Sequence, residues 1–108
     1  MSDIEIEFGG ETVSLRCTLG AFKDVSSQFG GFVRAFQKLA EVDIDAIAYI
    51  IAAGIGKHKN SRERERIVEK LFEGGLDEVL PKVTEYLGLL SGGGKKREEA
   101  QSDAEGER

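Results

Sequence analysis

The sequence predicts an α+β domain, in which a two-stranded antiparallel β-hairpin packs on a bundle of four to five short helices and a disordered tail follows. Three observations predict this fold. Two short runs of alternating apolar and polar residues flank Gly9-Gly10. Apolar residues then recur at helical spacing between cap and stop signals. After Leu90 no large apolar residue occurs, so residues 1–90 are predicted to form one domain.

The hairpin is predicted over residues 3–17, with a two-residue turn at Gly9-Gly10. The cross-strand pairs that this turn predicts are Asp3 with Arg16, Ile4 with Leu15, Glu5 with Ser14, Ile6 with Val13, and Phe8 with Glu11. This register sorts apolar from polar side chains, with one exception at the turn, where Phe8 faces Glu11. Because an isolated hairpin is marginally stable, the helices must cover its apolar face.

Five helices follow, predicted over about 19–29, 32–40, 44–53, 62–73 and 78–90. The predicted N-caps are Thr18, Asp43, Ser61 and Asp77, and the predicted stops are Gly30 and Gly74-Gly75. The first two helices are either separate or one kinked helix. The third is apolar nearly all round, which predicts that it is central and the most buried.

Apolar spacing also predicts which helical residues enter the core. In the first helix these are Leu19, Phe22, Val25 and Phe29; in the second, Phe32, Val33, Phe36 and Leu39; in the fourth, Ile67, Val68, Leu71 and Phe72. In the fifth they are Val79, Leu80, Val83, Leu87 and Leu90. The composition changes abruptly at Ser91, and residues 91–108 are predicted to be disordered because they offer nothing large and apolar to bury.

Reactive residues are few. The only cysteine, Cys17, falls on the apolar face of the hairpin and is predicted to be an inert buried thiol. The only histidine, His58, stands between two lysines with no acid nearby in sequence to orient it, which favours a solvated loop residue. We therefore predict no catalytic, metal-binding or cofactor-binding residue and no enzymatic activity.

One basic segment, residues 57–70, lies in a chain whose net charge is −5. Its Arg62 and Arg66 are one helical turn apart and suggest a small nucleic-acid-binding regulator as an alternative function. Three glutamates interleave with the basic residues, and the overall charge disfavours nucleic acid as a partner. We interpret the segment as a charged surface that faces protein.

The start of the chain is acidic and alternating, which is not typical of a signal peptide. The longest apolar run, 46–55, is too short to cross a bilayer. We expect a soluble cytoplasmic protein without membrane partners.

The stretch GGETVSLRCTLGAFKDVSSQFGGFVRAFQKL, followed by DIDAIAYIIAAGI, resembles the tail assembly chaperone family of gene transfer agents and related long-tailed phages. The matching residues are Leu15, Arg16, Thr18, Leu19, Gly20, Ala21, Phe29 and Gly30. The resemblance covers about residues 4–56. The basic loop and the charged tail depart from the family pattern.

The resemblance implies a chaperone in the bacterial host cytoplasm that binds the tape measure and tail tube proteins during tail assembly. A structural tail component that stays in the particle is a second alternative. For the partner-binding surface the candidates are the hairpin edge and Tyr86, Leu87, Leu89, Leu90, Arg62 and Arg66. The alternative is that the last helix closes the core of the domain itself, and self-association stays open.

Overall fold

The computed structural model of the protein describes residues 3–92, with the side chain of Phe8 excepted. Its elements in order are β1 (Asp3–Phe8), β2 (Glu11–Arg16), α1 (Leu19–Phe29), α2 (Phe32–Ala40), α3 (Ile44–Gly54), α4 (Ser61–Glu73) and α5 (Leu76–Ser91). The predicted hairpin and helical bundle are confirmed. The predicted disordered tail lies outside the described residues except for Ser91, which ends α5, and Gly92, which caps it.

The hairpin has the predicted register at every cross-strand pair. Gly9 and Gly10 both adopt positive φ angles, of 58° and 81°, which is the requirement of a two-residue turn matched to the twist of the strands. The apolar face carries Ile4, Ile6 and Leu15, all buried. β1 packs on α5 and β2 packs on α3, so the helices cover the hairpin as expected.

Two of the four predicted N-caps and the predicted glycine stops are confirmed. The side chains of Thr18 and Asp43 accept hydrogen bonds of 3.1 Å from the backbone N–H three residues on, and Gly30 ends α1 in the left-handed conformation. Two predicted caps are wrong. Asn60, not Ser61, caps α4, and α5 begins at Leu76 after a glycine without a side-chain cap. The predicted cap Asp77 lies inside the first turn, where its charge favours the helix N-terminus.

The third helix is the centre of the molecule, as predicted. It contacts the other four helices and β2, and its Ile47, Ile50 and Ile51 are fully buried. Even this most apolar helix has only 11 residues. Among the described residues no helix is both long and apolar enough to span a membrane.

Three predicted core residues are instead exposed: Leu19, Val33 and Phe72. Each lies about 120–140° round its helix from the buried stripe, at about 100° per residue. The buried stripe consists of Ala21 and Val25 in α1 and of Ala35 and Leu39 in α2. Counting apolar residues therefore overestimates how wide a face each helix buries.

The turn between α2 and α3 contains a strained residue. Val42 has a φ of 56°, a left-handed conformation that a β-branched residue rarely adopts. The backbone N–H of Val42 donates to the Leu39 carbonyl and that of Asp43 to the Lys38 carbonyl, at 2.9 and 3.0 Å. This is the Schellman arrangement of a helix end, in which glycine is the usual residue at the position of Val42.

We expect Val42→Gly to raise the free energy of unfolding by up to about 1 kcal/mol, because glycine removes the left-handed penalty at a position whose side chain is 40% exposed. Chemical denaturation followed by far-UV circular dichroism measures the change. The matched control is Val33→Gly, in the first turn of α2, which should cost up to about 0.5 kcal/mol through lost helix propensity. A lower free energy of unfolding in Val42→Gly than in wild type would show that the left-handed conformation of Val42 is not strained.

Candidate partner-binding site

The last helix closes the core of the domain. Tyr86 and Leu87 are fully buried and Leu90 nearly so, while Leu89 is half-buried against the core. Tyr86 also donates a 2.7 Å hydrogen bond from its hydroxyl to the carbonyl oxygen of Arg16, at the end of β2. In the folded protein, Tyr86, Leu87 and Leu90 are therefore not a partner-binding surface. The alternative interpretation, that the stripe serves the domain itself, is correct for these three.

Two side chains of the basic segment contact the hairpin. Arg66 pairs with Glu63 on its own helix at 3.3 Å and with Glu11 of β2 at 3.4 Å. Lys70 lies 3.8 Å from Glu11 and donates to the Gly9 carbonyl at 3.2 Å. Arg62 is exposed at the start of α4. Because Arg66 and Lys70 face the hairpin, the basic side chains do not form one continuous face for a nucleic acid.

His58 is not the solvated loop residue that the sequence suggests. It is 8% exposed, and its Nε2 lies 2.7 Å from a carboxylate oxygen of Asp24 on α1. Its ring packs edge-on against Tyr49 of α3, with 5.4 Å between centroids, and its carbonyl accepts from Arg64 of α4. The acid that orients this histidine is 34 residues away in sequence, which is why spacing along the chain missed it.

The His58–Asp24 pair favours a structural role over catalysis. A general base needs a ring nitrogen that reaches the substrate. Nε2 is engaged by Asp24, and Nδ1 is buried without a hydrogen-bond partner among the described residues. The pair therefore ties the loop before α4 to α1.

The same contact predicts a pH dependence. The hydrogen bond from His58 holds the pKa of Asp24 below its ordinary value, and nearby Lys59 lowers it further. A lowered carboxylate pKa adds stability above the unfolded value of about 3.9, and that stability is lost as the pH falls through the folded pKa. We expect wild type to lose more stability than Asp24→Asn between pH 5 and pH 2, measured by urea denaturation.

As a control, Glu69→Gln removes a carboxylate that makes no hydrogen bond or ion pair within residues 3–92. If wild type and Asp24→Asn lose stability in parallel on acidification, the hydrogen bond does not hold Asp24 ionised.

Cys17 is buried, as predicted, and burial raises the pKa of its thiol. A thiol in this setting is protonated near neutral pH and a poor nucleophile. Within the described part of the chain, no three residues of the metal-binding types His, Cys, Asp and Glu come together.

A surface cleft of about 910 Å³ lies where α4 turns into α5. We call it the α4–α5 groove; it is lined by Ile44, Val68, Leu71, Phe72, Gly74, Gly75, Leu76, Asp77 and Glu78. Leu71 is buried, and Ile44, Val68 and Leu76 are half-buried. Phe72 is 90% exposed, so an aromatic ring stands almost entirely in solvent beside an apolar cleft.

The groove has an acidic rim. Asp77 and Glu78 line it from the first turn of α5. On α4, Glu69 lies one turn before Phe72, and Glu73 follows it. None of these four carboxylates takes part in an ion pair within residues 3–92. The rim is therefore negative and free to face a partner.

Comparison with protein-family models, curated proteins and solved structures finds no match for this chain.

The exposure of Phe72 follows from which residues of α4 the structure buries. Ile67 and Leu71 are the buried residues of α4. Phe72 lies about 120° from the centre of that pair on the helix, at about 100° per residue. The aromatic ring therefore lies at the surface, beside Glu73 in the sequence.

Proposed function

We propose that the protein is a tail assembly chaperone of a long-tailed phage or gene transfer agent, which binds the tape measure and tail tube proteins in the host cytoplasm. The observation that carries the proposal is the α4–α5 groove, where an apolar cleft and the exposed Phe72 offer a contact for another polypeptide. Large exposed aromatic residues beside a cleft are typical of protein-binding sites.

The order of the elements supports the proposal. The family pattern has a hairpin, a helix entered through a Leu-Arg-x-Thr-Leu-Gly-Ala segment, a Phe/Leu-Gly stop, a second amphipathic piece and an apolar helix. Here β1 and β2 lead into α1 through the Thr18 cap, Gly30 ends α1, and α2 precedes the apolar α3. These features are local and structural, so they support a fold relationship more strongly than a choice of partner.

The size of the groove also suits a chaperone that releases its client. A contact limited to one cleft and one aromatic side chain falls in the range of small, transient interfaces, below about 1,200 Å² of buried surface. Several copies bound along one long helical client would together bind it more tightly than a single copy does, through multivalency. Function by contact alone also agrees with His58, whose Nε2 is engaged by Asp24 and whose Nδ1 is buried.

Co-expression tests the proposal. Where a neighbouring gene encodes a tape measure protein, that protein is expressed with and without the chain, and its soluble fraction is measured by centrifugation. We expect the chain to raise the soluble fraction several-fold and to co-purify with the tape measure protein. An unchanged soluble fraction, with no co-purification, would reject the chaperone function.

Mass spectrometry of purified particles separates the chaperone from a structural tail component. A chaperone is absent from the finished particle, whereas a structural component is retained in fixed proportion. Salt-dependent binding to DNA would instead favour the nucleic-acid alternative. The engagement of Arg66 and Lys70 with the hairpin weighs against that alternative.

A further inference from the structure

The ring of Phe72 takes no part in the core of the folded domain. Single exposed apolar residues are common and need no explanation. Phe72 differs from the exposed Leu19 and Val33 because it borders an apolar cleft. A ring beside a cleft can grip a side chain that enters the cleft, so the two together form an anchor site.

The lining of the groove offers apolar side chains to the face of a helix. Leu71 is buried, and Val68 and Leu76, which also line the groove, are half-buried. At one end, Gly74 and Gly75 join α4 to α5 without side chains, and a side-chain atom at Gly74 would meet nothing within 4 Å. That end is therefore open, and an extended element can run past it. Helices that bind such grooves insert apolar residues one turn apart.

The acidic rim favours an occupant that carries positive charge. Asp77 and Glu78 line the groove, Glu69 and Glu73 lie near Phe72 in the sequence of α4, and none of the four carboxylates forms an ion pair among residues 3–92. Over distances within the Debye length, of about 8 Å at physiological salt, they attract lysine and arginine and repel acidic residues. An occupant with basic flanks is therefore favoured.

Two occupants that this protein could itself supply are disfavoured. In a symmetric dimer through the groove, the acidic rim of one copy would face the acidic rim of the other. The segment after Gly92 contains lysine and arginine but no large apolar residue that could fill the cleft. The occupant is thus expected to come from a different protein.

We propose that the α4–α5 groove binds an amphipathic helix of a partner protein, whose apolar face packs on Phe72 and whose lysines and arginines pair with the acidic rim. The proposal rests on the proposed function in that it supplies the client-binding surface of the chaperone. It specifies the client segment by its chemistry: apolar residues one turn apart, flanked by basic residues.

Fluorescence anisotropy with the full chain and two synthetic probes tests the proposal. One probe is an amphipathic helical peptide of leucine and lysine, and the other carries glutamate in place of every lysine. We expect the leucine–lysine peptide to bind at least about tenfold more tightly, with an affinity that falls with added salt. Phe72→Ala should weaken its binding about tenfold or more, the effect of removing an interface anchor.

Matched variants test whether the change in peptide binding is specific to the groove. Val33→Ala removes an apolar side chain that is 72% exposed on α2, and its binding should equal that of wild type. Asp77→Lys combined with Glu78→Lys should reverse the preference between the two peptides. Because Phe72 is so exposed, Phe72→Ala should unfold at nearly the wild-type denaturant concentration, which excludes misfolding as the cause.

Unchanged binding in Phe72→Ala, or equal binding of the two peptides, would overturn the proposal. So would self-association that Phe72→Ala abolishes in sedimentation, because the groove would then pair two copies. If wild type and Phe72→Ala solubilise the tape measure protein equally, the groove proposal fails and the chaperone function stands. If the peptides bind as expected but the tape measure protein stays insoluble, the chaperone function fails and the groove stands.

Discussion

Replacing Tyr86 by alanine is expected to lower the free energy of unfolding by about 3–5 kcal/mol, the usual cost of removing a large buried ring. Tyr86 is the largest of the fully buried side chains, and it lies on α5 between the other core residues and the end of β2. A domain of this size has about 5–10 kcal/mol of total stability. Tyr86→Ala should therefore be partly unfolded at 37 °C, as thermal denaturation by circular dichroism would show.

Tyr86→Phe separates packing from hydrogen bonding. It keeps the ring but leaves the Arg16 carbonyl without the hydroxyl, at an expected cost of about 1 kcal/mol. The matched control is Tyr49→Phe, whose hydroxyl makes no hydrogen bond to protein within residues 3–92 and whose loss should cost less than about 0.5 kcal/mol. A cost below 1 kcal/mol for Tyr86→Ala would contradict the buried position of α5.

The second large effect is expected at Gly54, the last residue of α3. A Cβ atom there would lie 2.8 Å from the Cβ and Cδ2 atoms of Leu15 and 3.0 Å from its Cα atom. Since Leu15 belongs to β2 and is fully buried, neither the strand nor the helix can move without disturbing the core. We expect Gly54→Ala to cost about 2–3 kcal/mol through overpacking, despite the better helix propensity of alanine.

Gly88→Ala is the matched control for Gly54→Ala. Gly88 also lies in a helix, α5, but a Cβ atom there would meet nothing within 4 Å. The same substitution should stabilise the protein there by about 0.5–1 kcal/mol, because alanine is the better helix former. Urea denaturation of both variants gives the comparison, and equal effects at the two glycines would contradict the close approach of α3 to β2.

The candidate site was harder to predict than the fold. Tyr86, Leu87 and Leu90 look on the sequence like an apolar stripe that a partner or the core can use, and the structure assigns them to the core. Phe72, predicted to be buried, is instead exposed at the groove. Both outcomes depend on which face of each helix meets its neighbours, and an apolar count along a single helix does not contain that information.

By itself, the sequence determined the features that depend on residues within about four positions of one another. The Gly9-Gly10 turn and strict alternation set the hairpin register, and the side chains of Thr18 and Asp43 cap their own helices. Only the tertiary structure decided the contacts between distant segments. It brought Asp24 to His58 and Leu15 against Gly54, and it left the ring of Phe72 in solvent. The physical reason is that turn and cap hydrogen bonds form locally, whereas burial is the sum of contacts that exist only after the helices have packed.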